Sequence, residues 1–518
     1  MDSSDANPAR SRSLWGNPKL WLVVLLVCVT CYRFTLIDRG HFFWSDERCY
    51  LAADRMVDDL AAGAYQPAVG RLFEAVARPG FVIVSVLPAL AQRTIEPWLG
   101  IRPNSLASFD IVSAFNVFVA LGVTFCVYVL VGRWTRSAWY GLIGAGVYSL
   151  LVSSNVWIRH AVPYNESLLF FLIALIVVSQ ASGSTRRSVG RALLGGVLTA
   201  FAYTCYPGHY LFVLINGAVV LATCKPRLAA ATSFGAAAAA VIGLFEAVSR
   251  AVGMSYVNNM RQLAGTVSMG YTGEGYVFPW RYLRDVEGLV GVAVFVLFVM
   301  LVMFFMWRRG ADVPRSARVA LLAALGTCLL HGAMAVHFKM TVFYGRVFLM
   351  FIPFVVVGAV MTLALIGSRR VRLVMTAGLI AVSLASFTAF VDRYTRLVYP
   401  ADFLNETMVA LGRDVVYPAN MLWGFVDGEP DDTVEQLDPQ VTMITDTLPD
   451  GMDVYAILAS HSDAQRNGRR IIGVNFKWLF NVKEKETHFA PPPGYRLVAE
   501  ATHPTAFPAT GYEAYKPW

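Results

Sequence analysis

Residues 286–307 read VEGLVGVAVFVLFVMLVMFFMW, and Arg308 and Arg309 follow at once. A bilayer core takes about 20 largely apolar residues of helix. Basic residues gather in the short loops on the cytoplasmic side. This stretch therefore reads as a membrane span with a cytoplasmic end. The rest of the chain repeats the pattern, near 19–37, 108–131, 138–156, 163–180, 192–206, 210–224, 228–249, 318–338, 345–366 and 372–391. The sequence predicts an all-α polytopic membrane protein of about eleven transmembrane helices plus interfacial helices.

Composition agrees. Of 518 residues, 56% are hydrophobic and only 15% charged, with a mean hydropathy of +0.52. A soluble domain carries about 25% charged residues. The net charge of +8 resembles a nucleic-acid signal, but most basic residues sit in short loops between apolar runs. That is topology, so no nucleic-acid partner is expected. Most of the seven cysteines lie in or at the ends of apolar runs. Cys28 and Cys31 form a CxxC inside a lipid-length run, which excludes the usual redox or zinc setting. No metal or cofactor motif is present, and a divalent cation stays open.

Basic loops alternate along the chain: Arg133/Arg136, Arg186/Arg187/Arg191, Lys225/Arg227, Arg308/Arg309/Arg315/Arg318 and Arg369/Arg370/Arg372. With Arg10, Arg12 and Lys19 they mark one side as cytoplasmic. The expected organisation is a cytoplasmic segment 1–18, a transmembrane domain 19–391 with a first outer loop 38–107, and an extracytoplasmic domain 392–518. No small-residue cleavage site follows the first run, so it reads as an uncleaved signal anchor.

The alternation leaves no room for an ordinary span from Pro79 to Trp98. Pro79, Pro88 and Pro97 are expected to break it into a non-spanning, half-embedded element. The segment from Cys49 to Ala77 alternates Leu51, Met56, Val57, Leu60, Leu72, Phe73 and Val76 with acids and arginines, as an in-plane amphipathic helix does. Beyond residue 391 apolar runs shorten to strand length at Val454–Leu458, Ile471–Phe476 and Tyr495–Ala499, predicting a small C-terminal α/β extracytoplasmic domain.

The predicted outer loops collect the polar residues that need explaining: Asp46, Glu47 and Arg48; Arg78; Arg159 and His160; Asn165 and Glu166; Tyr206 and His209; His337, Lys339, Tyr344 and Arg346. Acids, bases and aromatics at neighbouring helix ends suggest a shared cavity. Plainer readings exist. Glu166 suits the first turn of a helix opened by Pro163, His209 suits a surface turn, and Tyr206 and Tyr344 suit an interfacial aromatic belt. Lys339 can snorkel. Arg346 heads a long apolar run on the non-cytoplasmic side, against the charge bias, and arginine suits bidentate phosphate binding. The glycine-containing stretch from Arg250 to Asp285 reads as a long loop, either a lid or a connector.

Together these residues resemble the GT-C superfamily of membrane glycosyltransferases, nearest the protein O-mannosyltransferases and the lipid A aminoarabinose transferases. Asp46-Glu47 resembles the family's Asp-Glu pair after the first span, and Arg78-Pro79 its basic-Pro step. Pro163-Tyr164-Asn165-Glu166-Ser167-Leu168-Leu169-Phe170-Phe171 is similar to its Pro-x-Asp-x-Leu-x-Phe-Phe helix start, and Tyr344-Gly345-Arg346 with Pro353 to its late Tyr/Arg step. The resemblance covers about residues 15–391. A lysine of one branch is replaced within Thr204-Cys205-Tyr206-Pro207-Gly208, which leaves the donor open.

The resemblance implies an inverting transferase that moves a sugar from a polyprenyl-phosphate donor to a lipid, glycan or protein acceptor, amid membrane lipids. It implies Asp46 as general base with Glu47 or Arg48 orienting it. Arg346, Lys339, Arg78 and Arg159 would hold the donor phosphate. Arg48, His160, Asn165, Glu166, Tyr206, His209, His337 and Tyr344 would line the substrate site. Two other classes compete: a secondary transporter, disfavoured because no internal repeat is visible, and a non-catalytic scaffold of envelope glycan assembly.

Overall fold

The computed structural model describes residues 16–37, 48–74, 78–101, 106–158, 160–180, 184–269, 275–307, 313–338 and 345–395, with short stretches at 416–418, 454–460, 472–476 and 495–502. Helices dominate because a backbone in hydrocarbon must satisfy its own polar groups. In chain order they are α1 (Pro18–Ile37), α2 (Arg48–Ala61), α3 (Tyr65–Glu74), α4 (Pro79–Leu99), α5 (Leu106–Thr135), α6 (Ala138–Ser149), α7 (Tyr164–Val178), α8 (Thr185–Cys205) and α9 (Phe212–Thr223). Then follow α10 (Arg227–Ala251), α11 (Tyr256–Met269), α12 (Val277–Asp285), α13 (Gly288–Trp307), α14 (Arg315–Val336), α15 (Gly345–Phe348), α16 (Ile352–Leu365) and α17 (Arg369–Thr395).

Seven helical stretches among the described residues are long and apolar enough to cross a membrane: α1, most of α5, α10, α13, α14, the continuous run Gly345–Leu365, and Arg369–Val391 within α17. The chain is a helical, polytopic membrane protein. At the other four predicted spans the helices depart from the expected form. α6 and α9 have 12 residues each and α7 has 15. Twelve residues reach only about 18 Å, well short of a bilayer core of about 30 Å. α8 is long enough, but Arg186, Arg187 and Arg191 occupy its first two turns. α6 stops early because the chain leaves it for a 3-10 turn, Val152–Ser154. α9 starts late, after another at Pro207–His209. Such irregular backbone survives at membrane depth only inside protein, and both turns are largely buried.

Three further expectations need correction. The prolines do not break residues 79–98, which form the single helix α4, with Pro79 at its start and Pro88 and Pro97 inside. A proline at the first helical position loses no bond it would have made, and Pro88 lies on the buried face against neighbouring helices. Within the amphipathic stretch 49–77 the described residues, which end at Glu74, form two helices, α2 and α3, separated by a turn in which Gly63 takes φ +73°. Glycine enters that left-handed region without steric cost. The stretch 250–285 is mostly helix, α11 and α12, with 270–274 outside the described residues.

The core is centred on the Gly345–Leu365 run. Its apolar window is 94% buried, against 22% for α10 and 17% for α17. α16 packs on α13, α6 and α5, while α7, α8, α9 and α10 form an adjoining group. Beyond α17, four strands are described: β1 (Val416–Pro418), β2 (Val454–Ser460), β3 (Ile472–Phe476) and β4 (Tyr495–Thr502). They pair in the order β1-β3-β2-β4, with β1 and β3 parallel and the other pairs antiparallel.

Candidate functional site

α8 ends where Pro207 follows Tyr206, since the residue before a proline is pushed out of helical geometry; Tyr206 is extended, at φ −142° and ψ 104°. The turn that follows points His209 into the bundle. Its Nε2 lies 3.1 Å from the main-chain carbonyl oxygen of Arg346. A carbonyl only accepts, so Nε2 carries the hydrogen. Its Nδ1 lies 2.9 Å from the Ser167 hydroxyl on α7. One imidazole thus ties α7, the turn after α8, and α15.

Tyr164, in the first turn of α7, sits at the centre of the cluster. Its hydroxyl accepts from Arg346 Nη1 at 3.2 Å. Its ring meets Tyr206 and Trp157 edge-on, each at 4.8 Å between centroids. Tyr206 in turn lies 4.8 Å from the His209 ring. The Arg78 guanidinium stands 5.4 Å over the Tyr206 ring, within reach of a cation–π contact, and its Nη1 lies 3.5 Å from Cys49 Sγ. Close contact between α4 and α8 brings Arg78 there. A Cβ on Gly80 would collide with the Thr204 hydroxyl and lie 2.9 Å from the Cys205 backbone nitrogen.

Two arginines, 9% and 3% exposed, thus share one tyrosine pair. Beside them Glu166 is buried at 2% exposure, and its Oε2 has no hydrogen-bond partner among the described residues. Asn165 is buried next to it. His160 is buried near Trp157, at 6.2 Å between rings, and its carbonyl accepts from Asn116 Nδ2. The structure therefore gathers Arg78, Tyr206, His209 and Arg346, with His160, Asn165 and Glu166 on the adjoining segment. His337 stands apart: it follows α14, is exposed, and faces Tyr276 at 5.9 Å. Asp46, Glu47, Arg159, Lys339 and Tyr344 lie outside the described residues, as does the side chain of Arg48. Among the described residues no group of three His, Cys, Asp or Glu side chains is placed to hold a metal ion.

A second seam borders the cluster. Arg93 on α4 pairs with Asp54 at 2.9 Å and Asp58 at 2.7 Å on α2. Burial raises the Asp54 carboxyl above the usual carboxylate range, and Arg93 partly offsets this. Tyr50 on the same helix donates to Gln92, whose amide donates to the carbonyl and hydroxyl of Ser108.

Sequence reasoning missed the central Tyr164 and two buried charges. Arg33, on α1, donates from Nε to Asn155 Oδ1 at 3.1 Å and from Nη2 to the Ser154 carbonyl at 3.3 Å. Glu287, just before α13, accepts from the backbone nitrogens of Val152 at 2.7 Å and Ser153 at 3.0 Å, and from the Ser153 hydroxyl. The signal for both was available: an ionisable residue inside an apolar run is a functional candidate by default. The chain matches no protein-family model and no curated protein.

Proposed function

We propose that the protein is an integral-membrane glycosyltransferase moving a sugar from a polyprenyl-phosphate donor to an acceptor on the outer side of the membrane. The observation that carries this reading is the pair of buried guanidinium groups, Arg78 and Arg346, on the Tyr164–Tyr206 edge. Arginine forks match phosphate in geometry and charge. In this reading Arg346 and Arg78, with Lys339 and Arg159, hold the donor phosphate. Asp46, oriented by Glu47 or Arg48, takes the proton from the acceptor hydroxyl. The acceptor oxygen bonds to the anomeric carbon as the carbon–oxygen bond to phosphate breaks. The electron pair leaves on the polyprenyl phosphate, where the arginines stabilise the growing charge. Glu166, whose Oε2 has no hydrogen-bond partner among the described residues, accepts from a sugar hydroxyl in this reading. The N-terminus is cytoplasmic, and residues 392–518 form an outer α/β domain in the same reading.

The test is a purified transfer assay. Asp46→Asn keeps the shape and removes the base, so turnover should fall about a hundredfold or more while donor binding persists. Retention of most turnover would remove Asp46 from this role. Sidedness is tested by thiol labelling of single cysteines at Ser105 and Ser182, which should react from opposite sides.

A further inference from the structure

We propose that Glu287 and Arg33 are positioning residues for Arg346, acting through the turn at residues 152–157. The proposal rests on the phosphate-binding reading of Arg346 given above.

The two charges grip opposite ends of one short segment. Glu287 takes the backbone N–H groups at its start, on Val152 and Ser153. Arg33 takes the Ser154 carbonyl and the Asn155 side chain at its end. Acid toward free N–H groups and base toward free carbonyls complement the turn's own dipole. Asn155 then staples the segment back onto the end of α6, donating to the carbonyls of Ser149 at 2.9 Å and Leu151 at 2.7 Å. Arg33 is fully buried and Glu287 is 1% exposed. Charges taken this far out of water are costly, and stability alone is a weak reason to keep them.

Two routes lead from the gripped segment to Arg346. Two residues past Asn155, Trp157 packs edge-on against Tyr164, whose hydroxyl accepts from Arg346 Nη1. At the other end the Ser153 hydroxyl lies 2.7 Å from the Tyr282 hydroxyl. Tyr282 meets Phe348 edge-on at 5.2 Å, and Phe348 closes the four-residue helix α15 that carries Arg346. One route sets the guanidinium and the other sets its backbone. A bidentate grip on phosphate needs both, because a fork displaced by an ångström loses a bond.

Glu287→Gln is the sharp variant. It keeps one acceptor oxygen but turns an amide N–H toward N–H donors. The readout is affinity for a polyprenyl phosphate in nanodiscs, measured as a double-mutant cycle with Arg346→Ala. Glu287→Gln should weaken binding about five- to tenfold when Arg346 is present and less than about twofold when it is absent, as expected of residues sharing one partner. Equal weakening in both backgrounds would make Glu287 a general scaffold residue and overturn the proposal. If Arg346→Ala alone leaves affinity unchanged, the phosphate reading falls, and the proposal falls with it for that separate reason. Should Glu287→Gln not fold, Ser153→Ala removes only the hydroxyl shared by Glu287 and Tyr282. It should give a smaller loss of the same kind, again only with Arg346 present; no loss overturns the proposal.

Discussion

Glu166 and Glu287 are two glutamates buried to the same degree, at 2% and 1% exposure, yet their surroundings are opposite. Both oxygens of Glu287 are engaged, with two backbone N–H groups and one hydroxyl. Glu166 leaves Oε2 without a partner among the described residues. A buried acceptor without a donor costs free energy, so a fold that only needed stability would not keep one. Glu287 fits a part that holds other parts still. Glu166 fits a part that waits for a ligand.

That contrast breaks most easily at Glu287. Glu287→Ala leaves two buried N–H groups and a hydroxyl without their acceptor, and Arg33 without the acid at the far end of the turn. Each buried donor left without its acceptor costs about 1–3 kcal/mol. Thermal unfolding in detergent should show a large fall in midpoint or no folded yield, and a melt like the parent's would remove the contrast. Next comes Arg346, on the Glu166 side. Arg346→Ala should lower transfer about a hundredfold, the usual loss for one donor to developing charge. Arg346→Lys should recover little, since a point charge does not reproduce the fork.

Glu166→Gln sharpens the comparison by sign. It replaces a buried carboxyl, whose Oε2 no described residue satisfies, with an uncharged amide of the same shape, so the variant should be as stable as the parent or more stable by about 1 kcal/mol. Transfer should nevertheless fall about tenfold. A destabilised Glu166→Gln would mean that its carboxylate is already engaged. The smallest effect belongs to the α2–α4 seam. Arg93 is 34% exposed in its pair with Asp54, and partly exposed pairs contribute about 0.2–1 kcal/mol. Arg93→Ala should shift the melt only slightly and leave lipid-phosphate affinity unchanged.

The membrane class was legible from hydropathy alone, because length and apolarity suffice for helices such as α13 and α14. The short helices α6 and α7 were not legible as short. The predicted run at 138–156 is apolar up to Ser149, and it turns at residue 150 because Glu287 and Arg33, distant in sequence, supply partners for the irregular backbone. Pro88 misled for a related reason: tertiary packing keeps α4 continuous where local rules expect a break. Within the site, residues unusual for their surroundings were found, as with Arg78 and Arg346. Tyr164 was not singled out, because a tyrosine at a helix start is ordinary and only its neighbours make it central.

Arg33 also sets an order of events during synthesis. Its partner Asn155 lies 122 residues later in the chain. At about 5–20 residues per second, roughly ten seconds separate the emergence of the two. During that interval the first helix carries an arginine whose insertion costs up to about 2.5–3.5 kcal/mol at a helix centre and less toward an end, and its partners Asn155 and Ser154 are not yet made. The first helix would therefore linger at the water interface or beside the insertion machinery until α5 and α6 arrive. Its final seating then becomes a late step, governed by residues from another part of the chain.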